Sequence, residues 1–566
     1  MYEEFKAAWS ELTAPGQIFE IETLQVRGAP MRTYKHAPAA LRDIWLGTAG
    51  FADREYLIYQ DERYTYAQCH EMTASIANWL SAQGVQPGDR VAIAMRNYPE
   101  WMLAYWAVVS MGAVVVGMNA WWVPHEMEFA LKDSSPKVLI ADRERLAQFQ
   151  QIRDSFPDIV AVGVRLTDEK PDNVVDWAEL VASEPTMPEV AVDPDDDACI
   201  FYTSGTTGTP KGAQLTHRGC VSNLMNIGFG QALQRDALTR AGLKSKGSLA
   251  PDQTNIALVA TPLFHVTGNN CVAQGIAATG GKLIHMYKWD AGEALRIVEE
   301  EKVTTFSAVP MMSREMMLHP DFESRDTSSL KSMGGGGAAV QPDLTRKMDE
   351  TMKNAAPSAG YGMTETCGII SALSGEYLVD RPTSVGRAMP TFEAKCVDGQ
   401  GNTVPTGQPG ELWVRGPCVI KGYLNRPEAT AETITDGWLH TGDIAYMDED
   451  EFIHLVDRAK EMVLRGGENV YCAEVESAIF DQEGVAECVV FGVEDERLGE
   501  EVAAAIYPKA GATVGVDELR KALRERLASY KIPRYIWVVD APLPRNANGK
   551  FVKRDVRDSL SLADAL

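Results

Sequence analysis

One eleven-residue stretch, YTSGTTGTPKG at residues 202–212, gathers the groups that wrap polyphosphate. Hydroxyls at Thr203, Ser204, Thr206 and Thr207 are interleaved with Gly205 and Gly208, and Lys211 follows Pro210. Glycine leaves backbone N–H groups approachable, short hydroxyls add donors and lysine adds charge, which together make a phosphate-binding loop. The Walker pattern places Gly directly before Lys and Ser or Thr directly after it, whereas Lys211 lies between Pro210 and Gly212. The loop is therefore of another kind. On composition alone the same cluster also suits a surface turn. A hydrolase nucleophile elbow is excluded, because Tyr202 stands where that motif needs glycine ahead of Ser204.

Anionic ligands need a local positive patch here, since the chain carries a net charge of −25. That charge repels nucleic acid and anionic membranes. Residues 520–557 supply such a patch, with eleven Lys or Arg against three acids. A length of 566 residues exceeds one ordinary core and implies a large and a smaller domain. Nine scattered cysteines without a Cys-x-x-Cys pair argue against disulfides or zinc and for a reducing cytoplasm. The acidic N-terminus has no signal-peptide core, and only sixteen residues follow Lys550, so neither a leader nor a fused carrier domain is expected. A monomer and a homodimer both stay open.

The elements that must position these groups read as helices on mostly parallel sheets. Short β-branched runs begin at Arg90, Ala113, Lys137, Asp197, Ile256 and Gly281, and they alternate with amphipathic stretches at 66–83 and 291–301. Residues 101–122 carry no charge and pass a crude test for a membrane span. Gly112, however, divides them into a helix-like half and a β-branched half, so a buried helix and strand are expected, with no transmembrane segment. From about 386 to 457 the texture turns to strand and turn with frequent Pro and Gly, predicting a small β-barrel-like part. A compact α+β tail follows, with strands at 486–493 and 501–507 and a helix at 516–528.

Further motifs follow the loop in order: TPLFHVTG at 261–268, MGGGGAAV at 333–340, YGMTE at 361–365, TGD at 441–443 with Asp457-Arg458, RAKEMVLRGGENV at 458–470 and LPRNANGK at 543–550. In this order they resemble the adenylate-forming enzymes, in the acyl- and aryl-CoA synthetase branch, across nearly the whole chain. The resemblance implies an α/β fold. A large N-terminal AMP-binding domain (1–457) holds two α/β sheet subdomains and the β-barrel-like part; a hinge (458–460) leads to a small mobile α+β C-terminal domain (461–566). It implies that residues 203–208 and Lys211 hold and release the outer phosphates of ATP. Gly337, Ala338 and Ala339 flank the adenine, with Ala339 where the family usually has Pro. Tyr361 stacks on adenine beside Gly362 and Met363, Thr364 binds the α-phosphate and Glu365 ligates Mg²⁺. Asp443 and Arg458 clamp the ribose, Lys460 is the pivot, and Gly466 and Gly467 line the coenzyme A channel. Lys550 reaches the carboxylate and α-phosphate together. The physics agrees: Mg²⁺ takes carboxylate and phosphate oxygens and keeps waters, a carboxylate suits two ribose hydroxyls, and a cation suits charge developing at phosphorus.

On the acid side, the resemblance puts His265, Val266, Gly268 and Gly360 along the acyl pocket, although a lone His among apolar residues also suits a core. Amino-acid-activating relatives carry an Asp nearby, and residues 260–283 contain no acid. An acid with an apolar tail is therefore expected. Gly335, Gly336 and Gly360 leave backbone instead of bulk, which favours an extended or wide substrate; a medium- or long-chain fatty acid is expected, with an aryl or cyclic acid as the alternative. The activity implied is an AMP-forming acid:CoA ligase using ATP, Mg²⁺ and coenzyme A. An acyl-AMP ligase with another acceptor and a non-catalytic nucleotide sensor are the rivals; a sensor would be expected to lack Lys550 or Glu365.

Overall fold

The computed structural model describes residues 1–566 except 168, 169, 204–209, 245, 248, 251, 252, 338, 339, 341, 459, 460, 466, 467, 547 and 548, and the side chain of Asn469. The uncharged segment folds as a buried helix and strand. Pro99 opens helix Pro99–Ser110 at a position where its missing N–H costs nothing. Gly112 then adopts a left-handed φ of 73°, which glycine accepts without strain, and turns the chain into the wholly buried strand Val114–Gly117. Among the described residues no helix is long and apolar enough to cross a membrane.

That strand lies inside a seven-stranded sheet. Its order is Lys211–Thr216, Asp197–Thr203, Val114–Gly117, Arg90–Ala94, Val138–Asp142, Val160–Val164 and Val174–Asp176, parallel except for the first pair. A second sheet of eight strands runs Gly368–Ser374, Ala356–Met363, Ser332–Gly336, Thr305–Ser307, Ile256–Val259, Lys282–His285, Glu55–Tyr59 and Glu62–Thr65, with antiparallel pairs only at its two ends. One apolar core unites both sheets, joining Val91, Val115 and Phe201 to Leu57, Val259 and Leu283 through helices Tyr66–Ala82, Pro99–Ser110 and His217–Arg240. Each such large side chain contributes about 1.5–3 kcal/mol on burial, so the two sheets form one rigid platform.

The segment read as barrel-like is a six-stranded antiparallel sheet, built from Ser384–Gly386, Ile453–Arg458, Trp438–Met447, Gly410–Arg415 and Glu393–Val397, with Ile434–Thr435 paired to Trp438–Met447. Burial alternates along Gly410–Arg415, as one core-facing sheet surface requires. Beyond it, strands Val463–Arg465, Glu468–Val470, Val485–Asp495, Gly499–Pro508 and Tyr535–Val538 form a separate sheet. Its hydrophobic clusters consist of residues from Val463 onward. The helix expected at 516–528 is shorter, Val516–Arg524, because the chain turns at Glu525 toward the 3₁₀ turn Ser529–Lys531.

Candidate active site

Of the residues expected to bind phosphate at 203–211, the two described ones lie on neighbouring strands. Thr203 and Lys211 are cross-strand partners in antiparallel register, followed inward by Tyr202 with Gly212. Ser204, Gly205, Thr206, Thr207 and Gly208 lie outside the described residues, as do Ala338, Ala339, Lys460, Gly466 and Gly467. After Lys211–Thr216 the chain enters helix His217–Arg240, capped by the Thr216 hydroxyl accepting from the Gly219 N–H over 3.1 Å. This helix fixes the neighbouring turn: Asn223 Oδ1 accepts from the Ile369 N–H at 2.9 Å, and a side chain at Gly219 would strike Cys367 Sγ.

On that turn, strand Ala356–Met363 passes through a register shift between Tyr361 and Gly362 into the 3₁₀ turn Thr364–Thr366. Gly362 is required by close approach, since a Cβ would lie 1.8 Å from the Gly368 carbonyl oxygen. Met363 and Thr364 are half-buried, while Glu365 is only 7% exposed. Glu365 Oε1 accepts from the Tyr423 hydroxyl at 2.8 Å, and the Lys211 Nζ lies 5.1 Å from the centroid of the same Tyr423 ring. The Leu424 N–H donates to the Gly212 carbonyl at 2.8 Å and the Ile420 N–H to that of Glu365 at 2.9 Å. Residues 420–424 thus tie the loop lysine to the buried carboxylate. Tyr423 escaped the sequence reading because it sits in a strand-and-turn stretch, KGYL, whose pattern signals structure only.

Among the described residues no group of three or more His, Cys, Asp or Glu could hold a metal. One enclosed carboxylate, with Oε2 accepting no hydrogen bond among those residues, does fit Mg²⁺ if phosphates and water complete its shell.

Asp443 and Arg458 are also cross-strand partners, on Trp438–Met447 and Ile453–Arg458. Arg458 Nε lies 3.1 Å from Asp443 Oδ1, and the Tyr361 hydroxyl donates to Oδ2 at 2.6 Å. Burial raises the proton affinity of Asp443, opposed first by Arg458, then by Tyr361 and Lys550. Tyr361 is driven well above the ordinary phenol range by burial and then by Asp443.

Lys550 arrives from the C-terminal sheet's side of the molecule. Its loop is a small hairpin held by Asn546, whose Oδ1 accepts from the Lys550 N–H at 3.0 Å and whose N–H donates to the Lys550 carbonyl at 2.8 Å. Arg545 braces it, 4.0 Å over the Phe551 ring and 2.8 Å from Glu487. Gly549, at φ 74°, abuts Val309 and Met311. Lys550 Cε lies 4.0 Å from the Cβ position of Gly337, where Thr267 Oγ1 and Val309 Cγ1 also approach to 3.6 Å. Burial depresses the Lys550 pKa, Arg458 adds to that, and Asp443, Glu365 and Glu461 oppose it.

His265 completes this side. Its Nε2 is enclosed without a hydrogen-bond partner among the described residues, and burial with help from Lys550 lowers its pKa to about 3, so the ring is neutral. It precedes the short helix Val266–Gly268, which runs into the π-helical turn Asn269–Ala273, a form that recurs at functional sites. Val266 is buried. The glycines divide. A Cβ at Gly268 would lie 2.4 Å from the Pro262 carbonyl oxygen, and Cβ atoms at Gly334, Gly335 and Gly336 would lie 2.0, 2.1 and 2.3 Å from those of Ser358, Ala308 and Gly360. The run at 334–336 thus serves close packing of strands, and the width expected there from Gly335 and Gly336 is taken up by backbone. Gly360 keeps space, with Ile369 Cγ2 at 3.7 Å nearest its Cβ position.

Comparison with known proteins identifies the family. The AMP-binding enzyme family matches residues 47–424, and the AMP-binding enzyme C-terminal domain matches residues 474–550. A feruloyl-CoA synthase from Amycolatopsis is 38% identical over 496 residues, covering 87% of this chain and 93% of that protein. A long-chain-fatty-acid–CoA ligase from Bacillus subtilis is 31% identical over 535 residues, covering 89% and 92%. Among solved structures, the o-succinylbenzoate CoA synthetase of Bacillus subtilis in complex with its acyl-adenylate intermediate is 29% identical, with a TM-score of 0.75 over 91% of this chain and 98% of that one. With both family domains present in order along the sequence, the chain belongs to the AMP-binding, adenylate-forming enzymes, in their acyl-CoA synthetase branch.

Proposed function

We propose that the protein is an AMP-forming carboxylic acid:CoA ligase that works in two half-reactions about a hinge at 458–460. The reading rests on buried Asp443, held by the Tyr361 hydroxyl at 2.6 Å and Arg458 at 3.1 Å, and on Lys550, whose Cε lies 4.0 Å from the Cβ position of Gly337 beside Thr267. In the first half, a carboxylate oxygen of the acid attacks the α-phosphorus of ATP. A new O–P bond forms, the α–β phosphoanhydride bond breaks, and pyrophosphate leaves with its electron pair. Lys550 and Thr364 sit where charge grows on the attacked phosphate, and Lys211 at the departing end. Thr203 and residues 204–208 hold the outer phosphates. Gly337 to Ala339 and Tyr361 to Met363 flank the adenine, and Asp443 with Arg458 accepts and donates to the ribose. Glu365, steadied by Tyr423, would hold Mg²⁺, which when bound neutralises phosphate charge. His265 is uncharged, so it borders the carboxylate without competing with Lys550 for it.

In the second half, the C-terminal domain turns about Lys460, withdraws Lys550 and brings Gly466 and Gly467 to the pantetheine path. The thiol sulfur attacks the acyl carbonyl, the thiol proton passes to solvent and AMP leaves. A thiol of pKa about 8.5 is already a few per cent thiolate at neutral pH, so no dedicated base is needed.

For the acid, the 38% identity with feruloyl-CoA synthase favours an aryl acid. Backbone fills the space at Gly335 and Gly336 and leaves Gly360 as the one of the three glycines that supports a roomy channel, while likeness to the Bacillus fatty-acid ligase keeps medium- and long-chain fatty acids as the second reading. Nine unpaired cysteines, eight of them buried, fit a cytoplasmic setting. The test is acid-dependent exchange of pyrophosphate into ATP across ferulate, coumarate and fatty acids of graded length, followed by mass detection of the thioester. Acid-dependent AMP release that ignores coenzyme A would point instead to an acyl-AMP ligase with another acceptor, and absence of exchange with every acid would sink the reading.

A further inference from the structure

Strand Ile453–Arg458 lies in the six-stranded sheet between Ser384–Gly386 and Trp438–Met447, whereas helix Cys472–Phe480 packs in the hydrophobic cluster of the C-terminal sheet. The Asp457 carboxylate joins them. It accepts from the Arg458 N–H at 2.7 Å through Oδ1 and from the N–H of Cys472, the first residue of that helix, through Oδ2. The helix lacks a cap of its own, because Tyr471 at the N-cap position makes no side-chain capping bond. A free first-turn N–H needs an acceptor, and an anion there also meets the positive end of the helix dipole. Here the acceptor comes from the other sheet. Within the C-terminal domain the Cys472 thiol donates to the Glu461 carbonyl at 3.0 Å, and buried Lys553 lies 3.2 Å from Glu461 and 3.0 Å from Glu476, so of these the Asp457 bond is the contact that crosses the hinge. The hinge expected at Lys460 lies between the two partners along the chain.

We propose that Asp457 is a positioning residue: it caps helix Cys472–Phe480 across the hinge and so holds the C-terminal domain where Lys550 faces Gly337. This rests on the two-step ligase reading above. Rotation about the hinge breaks the cap and frees both partners to water, so the contact acts in the adenylating half only.

Protonation follows the same contact. Burial pushes the Asp457 carboxyl up to about 6, with Glu476 adding to it and Lys553 and the N–H groups of Arg458 and Cys472 opposing. A rotated domain returns it to water, where aspartate titrates near about 4. The docked arrangement therefore binds a proton that the rotated one has lost between about pH 4 and pH 6. Docking weakens as pH rises through that window, by up to about a hundredfold, and is level above it.

The experiment uses the full chain as wild type, Asp457→Ala and Asp457→Asn, with ferulate and hexadecanoate as acids and their synthetic adenylates. Pyrophosphate exchange reads adenylation, thioester release from supplied adenylate reads the second half, and amide hydrogen exchange reads the start of helix Cys472–Phe480. Asp457→Ala should lower adenylation about tenfold, leave the second half within about twofold and speed exchange at Cys472. Asp457→Asn keeps one acceptor oxygen for the Cys472 N–H and gives up the one facing the Arg458 N–H, so it should recover most of the adenylation lost in Asp457→Ala and abolish the change between pH 5 and 6 in the ratio of the two halves. Equal loss of both halves, no loss in either, or an unaltered Cys472 amide in Asp457→Ala overturns the proposal. Should Asp457→Ala fail to fold, a wild-type pH profile in Asp457→Asn overturns it as well. If wild type exchanges pyrophosphate with neither acid, the ligase reading is what fails, and the Cys472 amide still tests the cap.

Discussion

The Tyr361 hydroxyl lies 2.6 Å from Asp443 Oδ2, so the ring expected against adenine and the carboxylate expected at the ribose are held as one unit. Tyr361→Phe keeps the ring and drops that bond, leaving Arg458 as the remaining side-chain partner of Asp443 seen here. A hydrogen bond to a charged group contributes about 1.5–3 kcal/mol, and this one serves ground and transition states alike. The KM for ATP should rise about tenfold or more while kcat stays within about threefold. Pyrophosphate exchange at graded ATP concentrations checks this, and an unchanged KM would separate the two residues.

Tyr423 has the same relation to Glu365. Losing its hydroxyl leaves a buried carboxylate oxygen without its donor, which costs about 1–3 kcal/mol. Tyr423→Phe should therefore raise the Mg²⁺ concentration for half-maximal adenylation severalfold and lower the unfolding temperature by a few degrees. Glu365→Gln should lose about a hundredfold or more at any Mg²⁺ level. Magnesium titrations of pyrophosphate exchange, with thermal unfolding alongside, decide it.

Lys550 carries the proton prediction. Burial and Arg458 lower its pKa, so the nucleotide-free protein sheds this proton at lower pH than ordinary lysine. The triphosphate brings negative charge and raises the pKa again. ATP binding should thus take up a proton between the lowered value and about pH 10.5. Calorimetry in buffers of different ionisation enthalpy measures that uptake, which Lys550→Ala should abolish. The same variant should lose about a hundredfold or more in adenylation yet still make thioester from supplied acyl-adenylate.

Two glycines in one sheet region should respond in opposite ways. Gly335→Ala meets the Ala308 backbone at 2.1 Å from a φ of 137°, so destabilisation of about 3 kcal/mol or more is expected. Gly360→Ala meets nothing closer than 3.7 Å and should fold normally while narrowing the range of acids accepted. Denaturant unfolding and an acid screen on both proteins read the contrast.

Much of this arrangement was legible in the chain because it depends on local pattern. Gly112 marks the break between helix Pro99–Ser110 and strand Val114–Gly117, and the β-branched runs at Arg90, Lys137 and Ile256 became parallel strands. The partnerships of Tyr423 with Glu365 and of Asp457 with Cys472 were not legible, since each joins segments whose separation in sequence carries no periodic signal. Gly335 shows the opposite failure: glycine reads equally as open space or as intimate packing, and only the Ala308 carbonyl decides.

The cross-strand pairing of Thr203 with Lys211 has a consequence for how such a protein can be altered. The seven intervening residues, 204–210, begin and end on neighbouring strands, so the entropy of closing them is already met by the sheet. Their composition can therefore be exchanged as a cassette while the strands on either side keep their register.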